Sequence, residues 1–239
     1  MAGRVIADIL RAVGQLGDPR FRNVLLTGIA ASLFLLIGFS ALLIWGATWL
    51  VGPVVTLPWM GEVTWLDNAA GWALVPFTLI ASVFLMVPVA SAFTGLMLET
   101  VADAVEDRYY PDLPPARPVG WGETMRESLG FLLLVILVNA GALIAYLFLA
   151  PFALFIFWAV NGFLLGREYA QMVALRRMTR AEAAGFRTRH RARIWLTGVL
   201  MAIPLSVPIL NLLVPVIGAA TFTHLFHRLW QPSRRPAVR

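Results

Sequence analysis

Long runs without a charged residue dominate the pattern of hydrophobic and polar positions along this chain. There are four, and they are Val24–Gly61, Asn68–Leu98, Ser128–Gly166 and Ile194–Phe226. Each exceeds the ~20 apolar residues that a helix needs to cross the ~30 Å hydrocarbon core of a bilayer. Because a helix bonds its backbone polar groups internally, it is the expected structure for such runs in lipid. The pattern therefore predicts an all-α integral membrane protein.

Residues 1–17 show a different, amphipathic pattern. Apolar side chains recur at helical spacing, at Ile6, Ile9, Leu10, Val13 and Leu16. Polar and charged side chains occupy the other side, at Arg4, Asp8, Arg11 and Gln15. This arrangement predicts an amphipathic helix over residues 1–17. It fits equally a helix that lies at the cytoplasmic membrane interface and one that packs on its own protein.

Two long transmembrane helices are predicted from the first two runs. Asp18 is a favourable N-cap and Pro19 a favourable first helical residue, so the first helix is expected over residues 19–51. Prolines and several Trp residues follow it, as at a membrane interface. The second helix is expected over residues 68–104. Both helices are long enough to cross the bilayer completely.

Arginine is distributed unevenly among the segments that flank the runs. The stretch Glu99–Glu127 has three Arg, Arg167–Arg193 has eight, and the N-terminal 22 residues and the tail from Arg228 have four each. The loop with Glu62 and Asp67 has none. Cytoplasmic loops are enriched in Arg and Lys, whereas acidic residues matter little. We therefore expect both termini and both Arg-containing loops in the cytoplasm, and the loop between the first two helices outside.

This topology requires each of the last two runs to enter and leave the membrane on the same side. The runs contain 39 and 33 residues, whereas two full crossings need ~40 residues and a turn. We therefore predict two helical hairpins that penetrate only part of the bilayer, over residues 121–180 and 188–230. A break at Asn139–Gly141 and a kink at Ala150–Pro151 would let the third run reverse, and the three prolines within Ile203–Pro215 would let the fourth run do so. Irregular backbone at membrane depth must be buried or hydrated, so we expect a homo-oligomer or a water-filled cavity.

Composition supports one membrane domain that covers residues 1–239. The chain is 59% hydrophobic and only 13% charged, about half of the ~25% that is typical of globular proteins. It has no Cys, which excludes disulfides and Cys-ligated metals. Its net charge of +6 lies at membrane ends, where it suits the lipid surface better than nucleic acid. Because the sequence has no phosphate-binding loop, nucleophile elbow or paired carboxylates, we expect neither enzymatic activity nor a cofactor.

The turn Asp18–Arg22 is the first candidate for a binding site. Arg20 and Arg22 lie in the first turn of the predicted helix, where cations oppose the positive end of the helix dipole by roughly 0.3–1 kcal/mol each. Backbone N–H groups are also unpaired there. A tetrahedral oxyanion would satisfy these N–H groups and both guanidinium groups together. The alternative is that the two Arg side chains only extend to lipid headgroups.

A second candidate begins at Asn161, near the end of the third run. Gly162 and Gly166 are four residues apart, which permits close helix contact. Arg167 and Glu168 follow at the predicted membrane boundary. The segment could line an ion pathway, but the spacing favours helix packing with an interfacial charge pair.

Two further polar segments flank the fourth run. Arg occupies every second position from Arg187 to Arg193, which surrounds a helix with charge and favours contact with lipid phosphates over one specific binding face. His224 and His227 are three residues apart and could share a helix face. No acidic residue lies within seven positions of them, so we predict interfacial histidines and no metal site.

Several short motifs follow one another in a characteristic order. They are the turn 18–22, Pro88 with Gly95–Leu96 and Glu99, Gly166–Tyr169, Ile203–Pro204, and Asn211–Leu213 with Pro215. In this order the chain resembles, over nearly its whole length, the CysZ sulfate permeases and the wider etoposide-induced membrane-protein superfamily. The resemblance implies two long transmembrane helices, two partly penetrating hairpins, cytoplasmic termini and an oligomer.

The resemblance also implies a function and a site. CysZ proteins import sulfate for cysteine biosynthesis, so the chain would be a sulfate or similar oxyanion permease of the bacterial inner membrane. Their sulfate site is a short Gly- and Arg-containing turn before the first long helix, which corresponds to Arg22 and Arg20 here. The remaining candidates, for a pathway or for packing, are Asn161, Arg167, Glu168 and Asn211. The superfamily also has eukaryotic members without a transport role, so a membrane scaffold or regulator is the alternative.

Overall fold

The computed structural model describes residues 2–51, 56–57, 61–62 and 98–230, which are mostly helical. The helices are α1 (Ala2–Gly14), α2 (Pro19–Val51), α3 (residues 98–109), α4 (Trp121–Phe148), α5 (Ala153–Leu175), α6 (Arg180–Arg189), α7 (Arg191–Ala202), α8 (Pro208–Asn211) and α9 (Val214–Leu229). Two short strands, β1 (Thr56–Leu57) and β2 (Gly61–Glu62), pair antiparallel. Single 3-10 turns occur at Ala150–Phe152 and Ile203–Ser206.

Three described segments are long and apolar enough to cross a membrane. They are Pro19–Phe39, Met125–Phe148 and Ala150–Leu175. Large apolar side chains project outward along them, and Phe34 and Leu147 are 76% and 78% exposed. A helix that is apolar on all sides is stable only where protein or lipid surrounds it. The prediction of an all-α integral membrane protein is therefore confirmed.

The described residues fall into two compact units. One is drawn from residues 1–25 together with 98–239, and the other from residues 26–97. The second unit contains most of α2 and the β1–β2 pair. The predicted second transmembrane helix, residues 68–104, lies outside the described residues except for 98–104, which are helical.

Helix α1 packs against α9 along its less apolar side. Its buried positions are Val5, Asp8 and Ala12, and Gln15, directly after the helix, continues this spacing of three or four residues. The Asp8 carboxylate accepts a hydrogen bond of 3.0 Å from Nε of Arg228 in α9. Its exposed apolar positions, on the opposite side, include Ile6, Leu10 and Val13. The helix thus packs on its own protein and still presents an apolar stripe, and its position at the membrane interface stays a prediction.

Helices α4 and α5 form the first hairpin. The chain reverses at Ala150–Phe152, and the expectation of a break at Asn139–Gly141 is wrong. The Asn139 amide donates a hydrogen bond of 2.8 Å to the carbonyl of Val135, so α4 continues through this point. The helices contain 28 and 23 residues, or about 42 and 35 Å, because both extend into the charged flanks. Each could cross ~30 Å of hydrocarbon, and partial penetration of this hairpin stays a prediction.

The second hairpin is shorter and is interrupted by prolines. Helices α7 and α9 contain 12 and 16 residues, or about 18 and 24 Å, which is less than the ~30 Å of hydrocarbon. Pro204, Pro208 and Pro215 each lie at the start of a helical segment. The segment Ile203–Pro215 connects α7 with α9, which contact each other. These lengths favour a hairpin that enters the bilayer only part of the way.

Helices α5, α7 and α9 form the packed core of the first unit. Gly162 and Gly166 of α5 lie against α7, and Gly198 of α7 lies against the backbone of Gly162. Gly218 of α9 leaves room for the ring of Tyr169. The close helix contact predicted from the two glycines of α5 is therefore confirmed.

Candidate functional site

The turn that precedes α2 is built around Asp18. Its Oδ1 atom accepts a hydrogen bond of 2.9 Å from the backbone N–H of Arg20, so Asp18 caps the helix that Pro19 begins. The amide of Gln15 donates to the other carboxylate oxygen at 3.4 Å and to the carbonyl of Ala104 at 3.0 Å. The predicted N-cap is confirmed. An acidic side chain therefore already occupies part of the positive end of this helix.

The two Arg side chains of this turn have different environments. Arg20 forms an ion pair of 2.6 Å with Asp107 of α3, and their side chains are 52% and 65% exposed. Solvent screens such a pair, so it opens readily. Arg22 is exposed, and its guanidinium group has no hydrogen-bond or ion-pair partner within the described part of the chain. Arg22 is thus available to an anion, whereas Arg20 must first leave Asp107.

The candidates for a pathway are spread over the two hairpins. The Asn161 amide donates a hydrogen bond of 2.9 Å to the carbonyl of Phe157, one turn earlier in α5. Arg167 and Glu168 are half-buried near the charged end of the same helix. Asn211 ends α8 and is exposed at the tip of the second hairpin. No hydrogen bond or ion pair between described residues connects these side chains with the turn before α2, and their role in a pathway stays a prediction.

A dense group of charges surrounds Glu106 of α3. Arg177 donates to its two carboxylate oxygens at 3.2 and 2.5 Å, and Arg176 donates to one of them at 3.0 Å. Nε2 of His227 lies 2.8 Å from Oε1. Arg176 also pairs with Asp103, one turn before Glu106. This Glu106 cluster therefore connects α3, the end of α5 and α9.

Burial and pairing shift the pKa of Glu106 in opposite directions. Its side chain is only 5% exposed, and this burial raises the pKa. Hydrogen bonds from His227 and Arg177, together with the charge of Arg176, outweigh the burial and lower the pKa to about 2. The carboxylates of Glu106 and Asp103 balance the two guanidinium groups. The cluster is thus a clamp between helices that leaves little net charge for a substrate anion.

The Glu106 cluster is not apparent from the sequence. Glu106 is 70 positions from Arg176 and 121 positions from His227, so no local pattern relates them. A partial signal is present, because Asp103 and Glu106 are three residues apart and share a helix face. The pair Arg176–Arg177 directly follows a long apolar helix, where buried carboxylates of another helix would be natural partners.

The two histidines of α9 both bind protein groups. His227 belongs to the Glu106 cluster, whereas Nδ1 of His224 lies 3.2 Å from the hydroxyl of Tyr110. The His224 ring also meets Tyr109 edge to face, with 4.8 Å between ring centroids. Among the described residues, no three His, Cys, Asp or Glu side chains are grouped so that they could hold a metal ion.

Comparison with known proteins identifies the family. The family model described as "Sulfate transporter CysZ/Etoposide-induced protein 2.4" matches residues 8–215. The match covers more than half of the 239-residue chain and includes the turn before α2 and the whole first hairpin. No curated protein matches the chain. The resemblance drawn from the order of the motifs is therefore confirmed at the level of the family.

Proposed function

Because the chain belongs to the sulfate transporter CysZ/etoposide-induced protein 2.4 family, we propose that it is a membrane permease for sulfate or a similar oxyanion. The observation that carries the proposal is Arg22, an exposed cation at the start of a long apolar helix that has no ion-pair partner among the described residues. The alternative is a membrane scaffold or regulator, since the family description also contains the etoposide-induced protein 2.4.

The chemistry of the turn before α2 supports an oxyanion as ligand. The helix N-terminus supplies roughly half an elementary positive charge, whereas sulfate carries two negative charges. Arg22 supplies a full charge and a planar fork of N–H donors that matches two oxygens of a tetrahedral anion. Arg20 would add a second fork when its exposed pair with Asp107 opens. Asp18 acts in the opposite direction, because its carboxylate repels an anion and already accepts the N–H of Arg20.

Sulfate uptake into liposomes tests the proposed function directly. The sequence has no nucleotide-binding motif, so an ion gradient or the sulfate gradient itself must drive transport. Purified protein in liposomes should therefore accumulate labelled sulfate when either gradient is imposed, without ATP. Uptake that never exceeds that of protein-free liposomes would favour the scaffold.

Arg22→Ala is expected to weaken sulfate binding by about ten- to a hundred-fold, because a lost hydrogen bond to a charged group costs ~1.5–3 kcal/mol. Arg22→Lys should recover only part of the affinity, since Lys keeps the charge but not the planar fork. Calorimetric titration of sulfate into detergent-purified protein measures both effects.

Two further variants of the same turn serve as controls. Arg20→Ala should have a smaller effect than Arg22→Ala, because Arg20 is already paired with Asp107. Asp18→Asn keeps an N-cap side chain and removes the repulsive charge, so it should bind sulfate more tightly. An Arg22→Ala protein that inserts normally and binds sulfate with unchanged affinity would remove this turn as the site.

The cellular setting is part of the proposal. The chain would be a homo-oligomer of the bacterial inner membrane, would supply sulfate for cysteine biosynthesis, and would have both termini in the cytoplasm. The distribution of Arg supports this orientation. Accessibility tags at residue 64 should report outside, and tags at residues 112, 180 and 235 should report inside. An outside signal at residue 180 would mean that the run 128–166 crosses once, which contradicts the first hairpin.

A further inference from the structure

A second group of Arg side chains lies at the charged end of the first hairpin. Arg180 of α6 lies at Glu127 of α4, Arg187 of the same helix α6 is near both, and Arg167 of α5 lies one turn before Gln171, which contacts Glu127. Arg180 contacts Glu127 directly, and Arg187 is close enough to interact electrostatically with the other two Arg side chains and with Glu127. None of these four charged side chains takes part in the Glu106 cluster or in the turn before α2 as the structure describes them.

Both carboxylate oxygens of Glu127 have a polar neighbour. Oε1 forms an ion pair with Nε of Arg180, although it accepts no hydrogen bond from the described residues. The other accepts a hydrogen bond of 3.0 Å from the amide of Gln171, which lies one turn after Arg167 on α5. The carboxylate therefore compensates one guanidinium group, that of Arg180, and leaves Arg167 and Arg187 without an acidic partner among the described residues.

Arg187 is the least satisfied member of this Arg cluster. Its side chain is half-buried, and its Nε atom is shielded from solvent but has no hydrogen-bond partner in the described part of the chain. Burial lowers its pKa, as do the charges of Arg167 and Arg180, whereas Glu127 raises it. A buried donor without a partner is unfavourable, and native proteins pair such groups with protein, water or a ligand.

The charge and geometry of the cluster suit a phosphate group. Three guanidinium groups and one carboxylate leave a net charge of 3 − 1 = +2. Guanidinium groups bind the oxygens of tetrahedral oxyanions through paired N–H donors, and Arg is the residue best suited to this contact. A phosphate between Arg167 and Arg187 would take the free donors and compensate the excess charge. Water would accept hydrogen bonds from these N–H donors but would not compensate the excess positive charge of the cluster.

The surroundings of the cluster make it accessible and place it beside apolar surface. The Arg180 side chain is 43% exposed, so the cluster opens to the outside of the protein. On α4, Leu129, Leu132 and Leu133 follow Glu127 within two turns and are 59%, 46% and 58% exposed. A phospholipid could thus place its phosphate at the cations and its acyl chains along α4. Free phosphate would use the same cations without the apolar contact.

We propose that Arg167, Arg180 and Arg187 form a phosphate-binding site at the charged end of the α4–α5 hairpin, occupied by a phospholipid headgroup or by free phosphate. The site does not rest on sulfate transport and uses none of the residues of the proposed sulfate site. It would anchor α6 to the hairpin through the bound anion.

The test measures two probes on full-length protein in detergent. Native mass spectrometry measures retention of palmitoyl-oleoyl phosphatidylglycerol, and calorimetry measures binding of inorganic phosphate. Both use the Arg22→Ala background, so the turn before α2 does not contribute. Arg187→Gln and Arg167→Gln should each weaken binding of the occupying probe about ten-fold, the usual consequence of losing one charge-assisted contact. Arg189→Gln, an exposed residue of the same helix, should leave binding unchanged.

The pattern of losses identifies the source of the phosphate. Loss of phosphatidylglycerol retention alone indicates a lipid headgroup, and loss of inorganic phosphate binding as well indicates an open anion site. Unchanged binding of both probes in Arg187→Gln and Arg167→Gln would overturn the proposal. Equal losses in Arg189→Gln would also overturn it, because they would indicate only nonspecific attraction to positive charge.

If Arg187→Gln does not fold, a variant that is expected to bind the probe more tightly still tests the proposal. Glu127→Gln keeps the side-chain size and removes the competing carboxylate, which also frees Arg180. Affinity for the occupying probe should therefore rise several-fold. A Glu127→Gln protein that folds and binds both probes as the parent does would contradict the site.

Discussion

Glu106→Gln is expected to destabilise the protein by about 3–5 kcal/mol, the usual effect of removing one partner from a buried ion pair. The substitution preserves the shape of the side chain but leaves the guanidinium groups of Arg176 and Arg177 buried beside a neutral amide. Their side chains are only 5% and 6% exposed, so solvent cannot replace the carboxylate. Because Asp103 still pairs with Arg176, the loss should lie near the lower end of this range.

Unfolding in mixed micelles of sodium dodecyl sulfate, followed by circular dichroism, measures this effect. Glu99→Gln is the matched control, because Glu99 is an exposed acid on the same helix α3. That control should differ from the parent by no more than ~0.5 kcal/mol. If the two variants unfold at the same detergent fraction, the clamp between α3, α5 and α9 does not stabilise the fold.

The ion pairs of Glu106 should make the protein less stable at low pH. The pKa of Glu106 is about 2 in the folded protein and 4.5 for an ordinary Glu. A lowered folded-state pKa stabilises the fold above the ordinary value, and this contribution, about 3 kcal/mol, is lost as pH falls from 4.5 towards 2. The loss should be present in the parent and absent in Glu106→Gln. The difference between the two profiles isolates Glu106, because Asp8, whose pKa burial raises, contributes to both.

Features that depend on neighbouring residues were predictable from the sequence. The cap at Asp18 needs only the order Asp-Pro-Arg, and the interruption of the helix within Ile203–Pro215 follows from closely spaced prolines. The expected break at Asn139 does not occur, and the reason is also local. A helix-disfavouring amide is tolerated when it bonds to the preceding turn, as it does to the carbonyl of Val135.

Features that depend on residues distant in the chain were not predictable in the same way. Arg20 and Arg22 look equivalent in the sequence, but an acid 87 positions beyond Arg20 pairs with it, whereas no described residue pairs with Arg22. Asp8 belongs to the polar side of α1, yet it is buried because Arg228 of α9 lies opposite. Charge counts along the chain predict on which side a segment lies. They do not predict which acidic residue forms an ion pair with which arginine.

The contact between α5 and α7 is made by backbone atoms rather than by charged side chains. Gly198→Ala should lower the free energy of unfolding by about 3 kcal/mol, the upper part of the usual range for overpacking. The new methyl carbon would overlap the carbonyl oxygen of Gly162 and lie 2.9 Å from the backbone nitrogen of Gly166. Neither atom belongs to a side chain that could rotate away, so the two helices would have to separate along their contact.

A matched glycine elsewhere in the chain should respond in the opposite direction. Gly185 lies inside α6, and a methyl group there would meet no atom within 4 Å. Ala is favoured over Gly in helices by up to ~1 kcal/mol, so Gly185→Ala should stabilise the protein slightly. Gly198→Ala gains the same helix propensity. The destabilisation caused by its overlap with Gly162 is therefore larger than the measured change in the free energy of unfolding. Unfolding of both variants in one titration measures the difference. If Gly198→Ala stabilised the protein as Gly185→Ala is expected to do, the two helices would not approach this closely.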